Sequence, residues 1–249
     1  MGCGTQKVQE ELERKFPAIR VIRMDADTTV QRTAHETLLD EFSSGGADVL
    51  LGTQMIAKGL DFDNVTLVGV LDADLSLYSG DYRAGERTFS LLTQVIGRAG
   101  RRTKEGRAVI QTYTPANDII QAAAAQDYAA FYRYEIDVRQ ALMAPPFFDV
   151  ISFLVSSEVQ HRAEQAAQRL AATLKQCFAG PYPDCRAAVL GPVPPSIQVL
   201  NKKYRYQVSF RGQDRPRTRQ LVMDVLRAFY ADGANRQVTL VADINPYSL

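Results

Sequence analysis

The feature that most restricts the possible fold is an apolar run of strand length, Val65-Thr-Leu-Val-Gly-Val-Leu71. A strand without regular polar alternation is typical of a parallel sheet that is buried on both faces. Such a sheet needs helices to cover it on either side. The run therefore predicts an α/β architecture in which helices flank parallel strands.

The residues around this run supply alternating strands and helices. Apolar stretches bounded by turn residues predict the strands, and helix formers at helical spacing predict the helices. Asp25 and Asp27 offer N-cap side chains to the helix that ends at Phe42. Predicted helices cover 5–16, a segment ending at 42, 84–97 and 117–142, and predicted strands cover 19–22, 48–51, 65–71 and 107–113.

Two consecutive prolines, Pro145-Pro146, mark the clearest break in the chain, because they cannot continue the preceding helix. We therefore expect an α/β lobe over residues 1–145 and a second, smaller α+β domain over residues 146–249. The second domain reads as β-α-β-β-α-β, the order of a split βαβ sandwich. Its predicted elements are a strand at 149–156, a helix at 158–178, a strand at 186–191, an extended segment at 197–211, a helix at 215–231 and a strand at 237–243.

Composition excludes several classes of protein. With 46% hydrophobic residues among 249, the chain can form a sizeable core, and a net charge of +1 argues against a uniformly basic nucleic-acid binder. No apolar run is long enough for a membrane span, and the three cysteines include no C-x-x-C pair, so we expect a cytoplasmic protein. The two histidines, His35 and His161, stand apart from one another and from any cysteine or acidic cluster, so no metal site is expected.

The strongest chemical signal is the run from Gln94 to Arg101, Q-x-x-G-R-x-G-R. Arg98 and Arg101 lie three residues apart, on one helical face if the helix continues, and Gly97 and Gly100 remove side chains that would block close approach. Guanidinium groups stay charged and bind phosphate oxygens in a bidentate fork. The pair is typical of a phosphate clamp, and the alternative is a solvated basic helix end.

A second segment, Gly52-Thr-Gln-Met-Ile-Ala-Lys-Gly59, directly follows a predicted strand. Ligands bind at the carboxyl edge of open α/β sheets, so the Thr53 hydroxyl and nearby backbone amides are placed to hold a DNA phosphate. Lys58 adds positive charge, and Asp61 is able to accept a hydrogen bond from a ribose or an arginine. An ordinary turn after a strand is the alternative interpretation.

The chain contains no G-x-x-x-x-G-K-[ST] loop, since its single Lys-Gly pair, Lys58-Gly59, lacks both the preceding loop and a following Ser or Thr. The sequence therefore has groups that contact phosphates without the loop that would cradle them. We expect a part of a nucleotide-driven motor that another segment completes.

These segments resemble the second RecA-like lobe of superfamily-two helicases, and more closely the primosomal protein N′ (PriA) family of replication-restart DNA helicases. The resemblance extends over essentially the whole chain and into the second domain. The segments that carry it, besides the two above, are Gly2-Cys-Gly-Thr-Gln6, Arg23-Met-Asp-Ala-Asp-Thr-Thr29, Asp81-Tyr-Arg-Ala-Gly-Glu-Arg87, Leu190-Gly-Pro-Val-Pro194 and Asp243-Ile-Asn-Pro246.

The resemblance implies a role for each candidate residue. Arg98 and Arg101 match the arginines that meet the γ-phosphate of ATP, and Gln94, Gly59 and Asp61 belong to the same nucleotide surface. Thr53, Gln54 and Lys58 match the segment that couples single-stranded DNA to the nucleotide.

The resemblance also implies parts that this chain lacks. ATP with Mg²⁺ would be bound mainly by a first lobe, and zinc would be held by a cysteine-rich segment of the full-length family and not by this chain. Without those parts we expect a fragment that does not hydrolyse ATP alone.

In the second domain, Lys203 and Arg217 lie in a basic patch around Asn201-Lys-Lys-Tyr-Arg-Tyr206. The resemblance implies binding of forked DNA, of the acidic tail of single-strand DNA-binding protein, and of other primosome proteins. From the residues alone it is equally plausible that these charges are simply hydrated, on the surface of a strand and at the start of a helix. Alternation from Tyr204 to Phe210 predicts that at least some of these aromatic rings are core.

A second hypothesis treats the chain as a non-catalytic docking module.

Overall fold

The computed structural model describes residues 4–25, 32–53, 65–78, 81–97 and 106–246. The chain divides into two compact units, one containing residues 1–79 and 83–135 and the other containing residues 80–82 and 136–249. The domain boundary after residue 145 stays a prediction.

The first unit mixes strands and helices, as the sequence predicted, but the two do not alternate throughout. The helices are α1 (Thr5–Lys15), α2 (Arg32–Ser43), α3 (Asp74–Leu77), α4 (Ala84–Ile96), α5 (Asp118–Ala124) and α6 (Tyr128–Ala141), the last of which continues into the second unit. The strands are β1 (Val21–Met24), β2 (Val49–Gly52), β3 (Leu67–Val70) and β4 (Arg107–Ile110). Helices α3 and α4 follow one another directly, as do α5 and α6.

The strands of this unit pair in parallel, which confirms the predicted sheet type. Strand β1 runs beside β2 with Met24 opposite Gly52, and β3 runs beside β4 with Val70 opposite Ile110. The described strands form two separate two-stranded sheets. In each pair the carboxyl ends of both strands meet at the same edge.

The prediction that the Val65–Leu71 run is buried on both faces was wrong. Within the described residues, Val70 and Ile110 pack against a core of α4, α5 and α6, whereas Leu67 is 63% exposed. The burial of β3 therefore alternates, because one of its faces packs on helices. Continuous apolar sequence did not distinguish this one-sided packing from a covered sheet.

The single helix predicted over residues 117–142 was also wrong. Gln126 has φ +52°, and the Asp127 amide donates back to the Ala122 carbonyl oxygen at 2.9 Å, which ends α5. The Asp127 carboxylate then accepts from the Ala130 amide at 2.9 Å and so caps the start of α6. The aromatic rings of Phe89 on α4 and Phe131 on α6 stack at 4.1 Å in the resulting core.

The second unit contains a mixed arrangement of helices and one antiparallel sheet. Its elements follow the predicted order, and a turn at Asn201-Lys202 divides the predicted 197–211 segment into two strands. They are β5 (Asp149–Ser157), α7 (Gln160–Ala179), β6 (Val189–Val193), β7 (Val199–Leu200), β8 (Lys203–Gly212), α8 (Pro216–Ala231) and β9 (Thr239–Ile244).

The sheet has the order β6-β8-β5-β9, with every neighbouring pair antiparallel and β7 also paired to β8. Helices α7 and α8 pack on one face of it. Buried side chains from three strands, Phe153, Val208, Phe210 and Leu240, meet Leu170, Leu174, Leu221 and Val225 of the helices. This core fixes which side chains of each strand face outward.

Strand β8 shows the inward face that its alternation predicted. Tyr206, Val208 and Phe210 are buried, and Tyr204 packs partly against the same core. Arg205, Gln207 and Ser209 therefore occupy the opposite face. The aromatic rings of this strand contribute to the interior of the domain.

Among the helices of the described residues, we find none that combines the length and the apolar character needed to cross a membrane.

Candidate nucleotide and DNA interface

Several predicted site residues lie outside the described residues, and the structure does not report on them. These are Gln54, Lys58, Gly59, Asp61, Arg98 and Arg101. The described residues that flank them are Thr53, after β2, and the end of α4.

Gln94 lies on helix α4, four residues before Arg98 in the sequence. Phe89 and Leu92 are buried on the inner face of the helix, whereas Gln94 is exposed and its Nε2 donates to Ser90 Oγ at 3.1 Å. The helix ends at Ile96, where the Gly97 amide donates to the Thr93 carbonyl oxygen at 3.0 Å. Gln94 is thus presented outward by a helix whose other face is anchored in the core.

The anchoring of α4 depends on a close approach at Gly85. A Cβ at this position would lie 2.6 Å from Glu135 Oε2 and 2.8 Å from Ile119 Cδ1. Glu135 itself is buried on α6. Glycine therefore allows α4 to pack closely on α5 and α6 at this point.

Thr53 lies at the carboxyl edge of the β1–β2 pair. It is exposed and directly follows Gly52, which pairs with Met24. At the same edge the buried Asp25 carboxylate accepts from Thr5 Oγ1 at 2.7 Å and lies 3.0 Å from Arg23 Nε. The sequence suggested an N-cap role for Asp25, but the structure shows it joining α1 to β1 at the edge that presents Thr53.

Lys203 begins β8 and is exposed. Within the described part of the chain, no carboxylate oxygen lies within ion-pair distance of its ammonium group. It lines a groove together with residues of β5 and β9. Sequence reasoning missed these neighbours, of which Gln237 and Thr239 are the clearest, because they reach the same end of the sheet as Lys203 only through the pairing of β8 and β9 with opposite edges of β5.

Arg217 is partly exposed and engaged within its own unit. Its guanidinium carbon lies 4.3 Å from the centre of the Tyr182 ring, its Nε lies 3.6 Å from Asp184 Oδ1, and its Nη2 donates to the Pro181 carbonyl oxygen. The Tyr182 hydroxyl donates to Asp224, and this hydrogen bond raises the pKa of Tyr182 and lowers the pKa of Asp224. The Arg217 guanidinium group therefore lies over a tyrosine ring whose hydroxyl group is hydrogen-bonded to Asp224 of α8.

Two arginines close to Arg217 in the sequence, Arg211 and Arg219, also have partners in the unit. Arg219 forms a bidentate contact with Asp214 at 2.5 and 2.7 Å, which lowers the pKa of Asp214. Arg211 donates to the Met143 carbonyl oxygen at 3.3 Å. Arg211, Arg217 and Arg219 thus all have partners within the unit, whereas Lys202 and Lys203 lie exposed at the turn before β8 and at its first residue.

No cluster of three or more His, Cys, Asp or Glu side chains that would suit a metal ion occurs in the described residues.

Comparisons with known proteins cover both units. The model of the helicase conserved C-terminal domain matches residues 3–103, and the model of the primosomal protein N C-terminal domain matches residues 140–247. The replication restart protein PriA of Bacillus subtilis is 44% identical over 250 aligned residues, which span 100% of this chain and 30% of that protein. The protein of the same name from Chlamydia muridarum is 38% identical over 98% of this chain and 32% of its own length.

The chain thus spans about a third of the length of the curated relatives that it matches. Along this chain a helicase C-terminal match is followed by a primosomal protein N C-terminal match. The chain belongs to the PriA family of replication restart proteins, and it corresponds to the C-terminal region of that family.

Proposed function

We propose that the chain forms the second RecA-like lobe, residues 1–145, and the C-terminal split-βαβ domain, residues 146–249, of an ATP-dependent replication-restart DNA helicase. The helicase would assemble a primosome at stalled forks in the bacterial cytoplasm. The observation that carries this proposal is the succession of the two family matches along one chain. The parallel strands of the first unit and the antiparallel sheet of the second are consistent with this division.

The proposed contribution to ATP hydrolysis comes from Arg98 and Arg101, with Gln94, Gly59 and Asp61 on the same surface. Two guanidinium groups directed at a γ-phosphate would stabilise the charge that develops during phosphoryl transfer. The outward presentation of Gln94 on α4 supports this placement, since Arg98 follows it by only four residues.

The proposed contribution to DNA binding comes from Thr53, Gln54 and Lys58. The exposed Thr53 at the carboxyl edge of β2 supports it, because hydroxyl and backbone amide groups at such an edge bind phosphate without reading sequence. DNA and nucleotide would thus contact neighbouring loops of one lobe.

ATP with Mg²⁺ would be held mainly by a first lobe that carries a phosphate-binding loop, which this sequence does not contain. Hydrolysis of that ATP would supply the free energy for movement along DNA. The exposed Gln94 fits a surface that contacts the nucleotide from the side opposite that loop. We propose that the chain alone does not hydrolyse ATP and binds no zinc.

The test is an ATPase assay with single-stranded DNA, on this chain and on a longer chain that includes the first lobe. We expect turnover only in the longer chain, and there Arg101→Ala should lower it by about 10³-fold or more. Arg133→Ala, which removes an exposed arginine from α6, is the matched control and should leave turnover unchanged. Rapid hydrolysis by the chain alone would contradict the proposal.

A second candidate function is a non-catalytic docking module for forked DNA or for the acidic tail of single-strand DNA-binding protein. The exposure of Lys203 favours it, since its ammonium group is available to phosphate or carboxylate groups, whereas Arg217 would have to leave its contacts with Tyr182 and Asp184. Titration with labelled forked DNA and with an acidic peptide separates the two functions. Binding that survives loss of Arg98 and Arg101 but is lost on changing residues 202–219 supports docking.

A further inference from the structure

A groove of about 370 Å³ opens at one end of the antiparallel sheet, where β5 ends and β8 and β9 begin. We call it the Lys203 groove. It combines a lysine with three hydroxyl groups and one carboxylate. Its lining residues are Ser156, Ser157, Glu158, Val159, Lys203, Gln237, Val238 and Thr239.

Hydrogen bonds fix the wall of the groove opposite Lys203. Ser157 Oγ donates to the Gln237 carbonyl oxygen at 3.1 Å and accepts from the Val159 amide at 3.3 Å. The Gln237 side chain in turn accepts from Arg162. Gln237 has φ +65°, a conformation that favours glycine, so the surrounding contacts hold a strained backbone in place.

The lysine end of the groove is formed by a two-residue turn between β7 and β8. Asn201 and Lys202 have φ values of +51° and +62°, as a type I′ turn requires, and Leu200 pairs with Lys203 across it. The turn therefore sets the position at which Lys203 enters the groove. It also leaves Lys202 exposed beside it.

The cations of this domain fall into two groups, those with a carboxylate partner and those without one among the described residues. Arg169, Arg217, Arg219 and Arg227 each lie within 4.0 Å of a carboxylate oxygen. Among the described residues no such partner accompanies Lys202, Lys203 or Arg236. The one acidic residue of the lining, Glu158, forms no ion pair with a described residue. The lining itself carries one positive and one negative charge, and the exposed Lys202 beside it adds a second cation that has no carboxylate partner among the described residues.

The side chains present suit a phosphate better than a base or a peptide. Ammonium and hydroxyl groups donate to phosphate oxygens. The aromatic rings of β8 point into the core and so provide no surface on which a base could stack. Val159, 38% exposed, is the lining's sole exposed apolar side chain, which offers a bound peptide little apolar anchoring.

We propose that the Lys203 groove binds a backbone phosphate of single-stranded DNA and does so independently of base sequence. The inference rests on the proposed DNA-binding function and specifies a binding position for it in the C-terminal domain. Lys203 supplies the charge, the hydroxyl groups of Ser156 and Thr239 donate to the phosphate, and Glu158 weakens binding by repulsion.

The experiment measures fluorescence anisotropy of labelled oligothymidylate bound to the 249-residue chain over a series of salt concentrations. Lys203→Ala should weaken binding about fivefold near 0.1 M salt and lower the salt dependence, d log K/d log[salt], by about 0.7 in magnitude. The same fold-change should appear with an abasic strand of equal length. Lys203→Arg should restore most of the affinity, whereas Glu158→Gln should strengthen binding.

Lys175→Ala is the matched control, because it removes an exposed lysine roughly 22 Å along α7 from the start of that helix. Equal losses for Lys175→Ala and Lys203→Ala would overturn the proposal, since they would indicate a general charge effect. So would a loss on Lys203→Ala that is confined to an acidic peptide. If the unchanged chain binds no oligonucleotide, the groove proposal fails, whereas the ATPase test of the longer chain still decides the catalytic proposal.

Discussion

The hydroxyl group of Tyr230 joins both backbone polar groups of Leu240: it accepts from the amide at 3.0 Å and donates to the carbonyl oxygen at 2.9 Å. Strand β9 lies at the end of the described sheet, so these two groups point away from its only neighbour, β5. A side chain of α8 thus occupies the place where a further strand would bind. Edge strands with unpaired backbone groups are prone to pair with other chains, and Tyr230 blocks part of this edge.

Tyr230→Phe should lower the free energy of unfolding by about 1–2 kcal/mol, because two hydrogen bonds are lost while the edge-on contact with Phe229 remains. Urea unfolding followed by circular dichroism measures this change. Tyr204→Phe removes a tyrosine hydroxyl from the same unit and should change stability by less than about 0.5 kcal/mol. An unchanged unfolding midpoint for Tyr230→Phe would show that water replaces the hydroxyl fully.

Gly85→Ala should destabilise the first unit by up to about 1 kcal/mol, because the new methyl group would meet Glu135 Oε2 and Ile119 Cδ1 below 3.0 Å, while the shift of these two side-chain ends and the higher helix propensity of alanine offset part of the cost. Thermal unfolding of this variant and of a control variant measures the difference in stability. Gly69→Ala serves as the control, since a Cβ at Gly69 has no neighbour within 4 Å and its backbone is not left-handed. Equal stability of both variants would indicate that α4 and α6 separate without cost.

Lys202→Gly should raise the free energy of unfolding by about 0.5–1 kcal/mol, because glycine adopts φ +62° without the steric cost that lysine bears. Asn201→Gly should have a smaller effect, since asparagine tolerates the left-handed region. Guanidinium chloride titration of both variants measures the difference. A loss of stability in Lys202→Gly would mean that the lysine side chain makes a contribution larger than the backbone strain.

The Asp48 carboxylate makes the stability of the first unit depend on pH in the acid range. Hydrogen bonds from the Arg20 guanidinium, at 2.8 and 3.1 Å, and from the Arg20 amide, at 3.0 Å, lower the pKa of Asp48 to about 2. Because the folded pKa lies below the unfolded value of about 3.9, the stabilisation is fully present above that value and is lost as pH falls towards 2.

Asp48→Asn should therefore flatten the decline in melting temperature between about pH 4 and pH 2, while lowering it at neutral pH. Melting temperatures at a series of pH values, for this variant and for the unchanged chain, measure the effect. Asp40→Asn provides a control that removes one carboxylate from the same unit and keeps the contact with Arg20. A decline as steep in Asp48→Asn as in the unchanged chain would contradict the assignment.

Much of the element order was predictable because local patterns govern it. The alternation in β8 was enough to predict which of its faces is buried, since a packed face imposes a period of two residues. The break between α5 and α6 was not predictable in this way. Ala122–Ala125 have high helix propensity, and the chain turns at Gln126 through tertiary packing and the cap at Asp127.

The candidate site also has features that the sequence predicts and features that it does not. The exposed position of Gln94 on α4 follows from helical spacing, because Phe89 and Leu92 are apolar and mark the inner face. The surroundings of Arg217 do not follow from its neighbours in sequence, since its aromatic partner, Tyr182, lies 35 residues earlier. Contacts between distant segments decide whether a charged side chain is free for a ligand or occupied by the protein itself.

The inward register of β8 restricts how this domain can diverge. Replacing Tyr206, Val208 or Phe210 by a polar, ligand-binding side chain would leave a cavity in the core and destabilise the domain. These positions therefore cannot readily acquire a new binding function. The turn residues Asn201 and Lys202 and the first residue of β8 are exposed, so the core does not depend on their side chains. New preferences for one nucleic-acid structure over another can arise there by single substitutions, while the hydrophobic interior stays as it is.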